Sequence, residues 1–302
     1  MLIAQHGVFS SYEYPFVPVS WSAVPSPGFS LSNVNSLAFG NLTYVAGGNA
    51  GKIGTSPEGV TWTQRTSSFG TTPIYSVAFL NGVFYAGGSA GKIATSINGT
   101  ASWTQRTSSF GASVVLGFAY NSSLATYVAV GGDGKLATSA DGINWTQRTS
   151  SFGTSFIRGV TAFGSSFVAV GDDGKLATSP NGTSWTQRTS SFGSTRIYGV
   201  IVAAGGRLVA FGAAGKIAYS TDGINWTQGV SSFGSSDIRS ISYAINGVYA
   251  SAGADGKLAT SFDGVGWVLR PSGFGTSTIN SIHISDTKSV AVGDSGKISY
   301  SV

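Results

Sequence analysis

The sequence predicts an all-β protein, a single seven-bladed β-propeller with four antiparallel strands per blade. Three observations carry that prediction. The nonapeptide Trp-Thr-Gln-Arg-Thr-Ser-Ser-Phe-Gly occurs unchanged from Trp62, Trp103, Trp145 and Trp185, with looser copies from Trp226, Trp267 and Trp21. All seven tryptophans of the 302-residue chain thus mark one position of a repeat, 40 to 42 residues apart. A fixed period of that size is the mark of a propeller or solenoid. Second, Gly-Lys-[Ile/Leu] recurs seven times, at Lys52, Lys92, Lys135, Lys175, Lys216, Lys257 and Lys297. Third, no stretch keeps a 3.6-residue apolar period, whereas short β-rich runs alternate with Gly, Asn, Asp and Ser turns.

Residues 1–19 match no part of the repeat and form a separate N-terminal segment, with the propeller spanning 20–302. Phe9, Tyr12, Tyr14 and Phe16 lie there between and around prolines. Stranded apolar surface is unfavourable in water, so these aromatics are expected to dock, either over one blade of the same ring or onto another protein. The unit that follows is clearest from Phe156 to Arg188. Phe156–Phe163 reads as an innermost strand, Phe167–Gly171 as a second, Lys175–Ser179 as a third and Trp185–Arg188 as the outer one. Turn residues separate each pair. The last copy, GKISYSV, ends at its third strand, and the first Trp strand has no three strands before it. The N-terminal strand is therefore expected to complete the last blade, with Ser20–Val24 against Lys297–Ser301. Such 3+1 closure leaves no free sheet edge.

Composition narrows the function classes. With no Cys and two isolated His, the chain has no disulfide, no thiolate nucleophile and no expected metal site, and no cofactor is predicted. No apolar run is long enough for a membrane helix, so membrane insertion is not expected. The N-terminus lacks the basic and apolar regions of a signal peptide. The lysines come singly about 40 residues apart, which argues against specific nucleic-acid binding.

The hairpin before each Trp reads Ser-x-[Asp/Asn/Glu]-Gly-x-x-Trp, as in SADGINW from Ser139, SPNGTSW from Ser179, STDGINW from Ser220 and SFDGVGW from Ser261. It resembles the Asp-box, or bacterial-neuraminidase repeat, of sialidase-like propellers, and the regular Gly/Ser-rich copies also resemble bacteriophage tail-fibre and virion-appendage propellers. The first resemblance implies hairpin staples, with a polar side chain capping turn amides. The second implies a non-catalytic virion protein, joined to other virion proteins through residues 1–19, displaying a surface for host glycan and oligomeric on the particle. A soluble lectin-like propeller, secreted or at the cell surface, and a sialidase-like enzyme are the alternatives.

Catalysis is not expected from the residues themselves. Glu13 lies in the segment outside the repeat, Glu58 takes a turn position, and His283 falls in an innermost strand where packing is the ordinary role. Asp172-Asp173 is a weak candidate for a cation and is read as a solvated turn. On the propeller scheme, the repeat lysines and Arg65, Arg106, Arg148, Arg188 and Arg270 are expected on one basic face. There they either attract anions or satisfy loop carbonyls within the ring. More informative are residues that break the repeat just after the first residue of each innermost strand: Asn35, Tyr75, Leu116, Arg158, Tyr198, Arg239 and Asn280. They are expected near the mouth of the central channel, either binding ligand or packing between blades. Tyr75, Arg158, Tyr198, Arg239 and Asn280 are the candidate binding residues, suited to sugar rings and acidic groups through stacking and bidentate hydrogen bonds.

Overall fold

A computed structural model describes residues 20–24 and 28–302; the docking residues predicted at Phe9, Tyr12, Tyr14 and Phe16 lie outside the described residues. Seven four-stranded antiparallel sheets form the blades. In blade 1 the strands, from the axis outward, are Val34–Gly40, Thr43–Gly48, Ile53–Ser56 and Thr63–Arg65. Blade 4 repeats this as Ile157–Phe163, Ser166–Gly171, Leu176–Ser179 and Thr186–Arg188. Blade 7 consists of Ile279–Ile284, Ser289–Gly293, Ile298–Ser301 and, as its outer strand, Ser22–Val24. Ser22 pairs with Tyr300 and Val24 with Ile298, which is the expected closure.

The ring has no single central core. Its apolar side chains form seven wedges, each between consecutive blades, and Trp21 packs into the wedge between blades 6 and 7 that also holds Ile282 and Phe274. The repeated nonapeptide can be read letter by letter in blade 4 and the loop that follows it. Phe192 is buried, contributing roughly 2–3 kcal/mol of apolar burial. Arg188 turns its Nε to Thr178 Oγ1 at 2.9 Å, and Ser190 Oγ donates to the Gly174 carbonyl at 2.5 Å. The Phe192 carbonyl accepts from the next repeat's lysine, Lys216 Nζ, at 3.0 Å.

All seven repeat lysines make that same bond to a loop phenylalanine carbonyl, at 2.7–3.0 Å. They join the turn between second and third strands to the loop entering the blade, and so place both on one face of the ring. The five arginines expected beside them instead turn their Nε back to a third-strand threonine. Of the two roles expected for these cations, the structure carries the bonding within the ring: they staple it, because buried loop carbonyls and hydroxyls need donors and the long side chains supply them.

Candidate functional site

Each innermost strand carries a β-bulge one residue from its start. Val34 pairs with Gly48 and Ser36 with Gly47, so Asn35 is left without a partner, and the same skip occurs in the other six blades. The skipped residues are Asn35, Tyr75, Leu116, Arg158, Tyr198, Arg239 and Asn280. A bulge re-aims its extra side chain, and here all seven line one cavity of about 400 Å³ at the channel mouth. The five candidate binding residues are thus brought together with Asn35 and Leu116.

Around the mouth the residues fall into three sectors. Blades 7 and 1 supply amides. Asn280 Nδ2 donates to the Val34 carbonyl (3.1 Å) and Asp294 Oδ1 (2.9 Å), while Asn35 Nδ2 donates to the Ile74 carbonyl (2.8 Å) and Asn49 Oδ1 (3.0 Å). These side chains tie neighbouring blades, which is the packing role. Serines one residue further on do likewise, Ser36 Oγ accepting from Val77 N and Ser281 Oγ from Leu37 N. Blades 2 and 3 supply Tyr75, which is 40% exposed, and Leu116.

Blades 4 to 6 form a charged sector. Arg158 makes a two-pronged contact with Asp172, Nε to Oδ1 at 2.9 Å and Nη2 to Oδ2 at 3.0 Å. Arg196, from the loop into blade 5, reaches the same Oδ1 through Nε at 2.7 Å. Partial burial works against the Asp172 carboxylate, but the hydrogen bond and charge of Arg158, then those of Arg196, outweigh it and hold its pKa below the ordinary value. Tyr198 donates its hydroxyl to Asp237 Oδ2 at 2.8 Å, and Arg239 Nη2 meets that oxygen at 3.0 Å. The Arg239 guanidinium also lies 4.4 Å from the centre of the Tyr198 ring. Three arginines therefore share two carboxylates, leaving one net positive charge in this sector.

Arg196 and Asp237 were not among the candidate residues, since both lie outside the bulge position. The same holds for Asp172: read from sequence as a solvated turn, it bridges two arginines, while Asp173 accepts from Ser155 Oγ. The only signal was placement, at the first residue of the turn between second and third strands. That residue lies fourteen positions after the bulge, as do Asn49 and Asp294, which anchor Asn35 and Asn280. His283 packs against Phe39 and Tyr44, with ring centres 5.4 and 5.7 Å away, and burial pushes its pKa down to about 4. Glu58 accepts from Thr61 N in its hairpin, the turn role expected of it.

A family model described as the DUF6242 beta propeller domain matches residues 114–229. No curated protein matches the chain in sequence. Among solved structures, it is similar to YCF48 from Cyanidioschyzon merolae, with a TM-score of 0.71, 18% identity and coverage of 93% of this chain and 98% of that one. It is similar also to YCF48 bound to D1 peptide (TM-score 0.73, 18% identity, 97% and 99% covered). A third similar structure is a catalytically inactive virginiamycin B lyase from Staphylococcus aureus with quinupristin (TM-score 0.82, 10% identity, 94% and 99% covered). At such identities the likeness is one of fold. It nevertheless corrects the functional reading made from sequence. The assignment to a phage tail or capsid appendage with a host-glycan surface, and its lectin and sialidase alternatives, gives way to similarity with the YCF48 and lyase propellers.

Proposed function

We propose that the ring is a non-catalytic protein-binding module whose channel mouth takes a peptide segment bearing an acidic residue beside an apolar one. The observation that carries this reading is the convergence of seven bulged side chains, one per blade, into three chemically distinct sectors of one cavity. Arg158, Tyr198 and Arg239 suit a carboxylate. Tyr75 and Leu116 suit an apolar side chain across the mouth from it. The similar YCF48 ring bound to D1 peptide supports a peptide as ligand class for this fold. The Ser-x-Asp-Gly hairpins retain their resemblance to Asp-boxes, which we read as staples. Ser139 Oγ accepts from Gly142 N, and Asp141 accepts from Ile143 N and Asn144 N.

The test is to pan a random-peptide display library on the immobilised ring and measure the selected sequences in solution. Peptides combining Asp or Glu with an aromatic or branched residue are expected, with affinity falling as salt rises. Replacing Arg158 and Arg239 by Gln and Tyr198 by Phe should weaken binding about 100-fold, since two charge-assisted hydrogen bonds contribute roughly 1.5 kcal/mol each. Unchanged affinity in that folded triple variant would remove the mouth from consideration.

A further inference from the structure

The repeat is broken a second way, between blades 2 and 3. At the second residue of β-pairing between second and third strands, the blades carry Val45, Val128, Val168, Val209, Ala250 and Val290, but blade 2 carries Tyr85. The hairpin of blade 2, SINGTASW, is also one residue longer than its siblings. Both changes meet at one seam. The hairpin glycines of blades 1, 2, 4 and 5 pack on the preceding blade's valine, as Gly182 does on Val128; Gly142 of blade 3 meets Tyr85 instead, and a Cβ there would fall 2.0 Å from the Tyr85 hydroxyl.

The tryptophans register the disturbance. Trp62, Trp185, Trp226 and Trp267 donate Nε1 to the hairpin glycine carbonyl three residues earlier, at 2.9–3.2 Å. Trp145, in the wedge between blades 2 and 3, has a buried Nε1 with no partner among the described residues, as do Trp103, which follows the lengthened hairpin and packs between blades 1 and 2, and Trp21. Thr107 and Asn144 form an isolated parallel bridge across the same seam.

A cavity of about 240 Å³ opens there. Its apolar walls are Val83, Tyr85, Ile97, Ala101 and Ile143, interspersed with serine and threonine hydroxyls, and Ile97 and Ile143 stand 74% and 42% exposed at its lips. The equivalent cleft between blades 3 and 4 has Thr126, Ala140 and Thr183 where this one has Val83, Ile97 and Ile143. Two charges border the cavity. The Asp141 carboxylate is saturated, accepting from Ser139 Oγ, Ile143 N, Asn144 N and Asn144 Nδ2. Arg106 commits only Nε, to Thr95 Oγ1 at 2.7 Å, and its Nη groups have no acceptor among the described residues. The donor left open beside this pocket is therefore the Arg106 guanidinium, as in the sibling repeats, and here it borders apolar walls.

We propose that the seam between blades 2 and 3 is a binding site for a free small apolar carboxylate: one ring or branched chain in the pocket, its acid on the Arg106 guanidinium. The volume lies just below the usual range for small-molecule sites and suits a fragment of that size. This site is separate from the mouth, so it stands whether or not the mouth binds peptide.

The probe is 4-phenylbutyrate, titrated into the isotope-labelled protein by NMR against 4-phenylbutyramide, its neutral counterpart. The acid is expected to bind saturably at about millimolar Kd, the affinity of a fragment with roughly twelve heavy atoms, shifting the Trp145 indole and the Ile97 and Ile143 methyls. The amide should bind at least about tenfold more weakly, the worth of a charge-assisted bond. Arg106→Gln should erase that difference, and deleting Thr100, which restores the sibling hairpin length, should abolish binding. Ile143→Asp, at a partly exposed lip, should do the same by repulsion without disturbing the fold. Equal binding of acid and amide, shifts confined to the channel mouth, or undiminished binding by folded Ile143→Asp would each overturn the proposal.

Discussion

At the scale of single residues, His283 shows how packing sets a charge state. Its imidazole packs against Phe39 and Tyr44 and its pKa falls to about 4 from an ordinary 6.5 because burial disfavours the cation. The unfolded chain therefore binds more protons than the folded one between those values, so this residue lowers stability as pH falls from about 6.5 to 4. His283→Phe keeps the aromatic packing and removes the proton uptake. It should recover up to roughly 3 kcal/mol at pH 4 while changing little at pH 8, read from urea unfolding at both pH values. Asp172 has the opposite chemistry. Its carboxyl is held below the ordinary carboxylate value against burial by Arg158 and Arg196, so its contribution is complete above pH 4 and is lost as pH falls through the folded-state value. Asp172→Asn should flatten the acid limb of the stability profile below pH 4.

At the scale of the element, the repeating unit is held by bonds that cross its own loops. Lys175 Nζ donates to the Phe152 carbonyl and to Ser155 Oγ, both at 2.8 Å. Lys175→Met keeps the stem and leaves that carbonyl unsatisfied, which should cost about 1–2 kcal/mol in chemical denaturation and leave mouth binding unaltered. The turn before it needs Asp173 and Gly174 both at positive φ (58° and 62°). A Cβ on Gly174 would lie 1.9 Å from the Gly193 carbonyl oxygen, so Gly174→Ala should lower the melting temperature by more than the lysine variant.

At the scale of the molecule, the absence of a central core makes closure decisive. Each apolar wedge needs a blade on both sides, and the wedge between blades 6 and 7 takes Trp21 from the segment preceding the closing strand. Removing residues 1–19 should leave a folded ring with nearly unchanged melting. Removing residues 1–24 also strips the Ile298–Ser301 strand of its partner and uncovers a sheet edge, so early melting and association are expected by calorimetry and light scattering.

Repetition makes most of this legible in the sequence itself. Seven Trp copies, seven Gly-Lys copies and the unmatched ends determined strand number, blade number and closure, because a unit copied along a chain can bury its apolar faces only against copies of itself. The mouth position was legible too, as a column just after the first residue of each innermost strand where the letters change from blade to blade. What the tertiary structure alone decided is how those letters act. The bulge that turns them inward depends on strand pairing, the sharing of Asp172 and Asp237 among three arginines depends on neighbouring blades, and the pocket at Tyr85 depends on a glycine 57 residues away. Contacts between blades join residues distant in sequence, and their geometry exists only once the ring has closed.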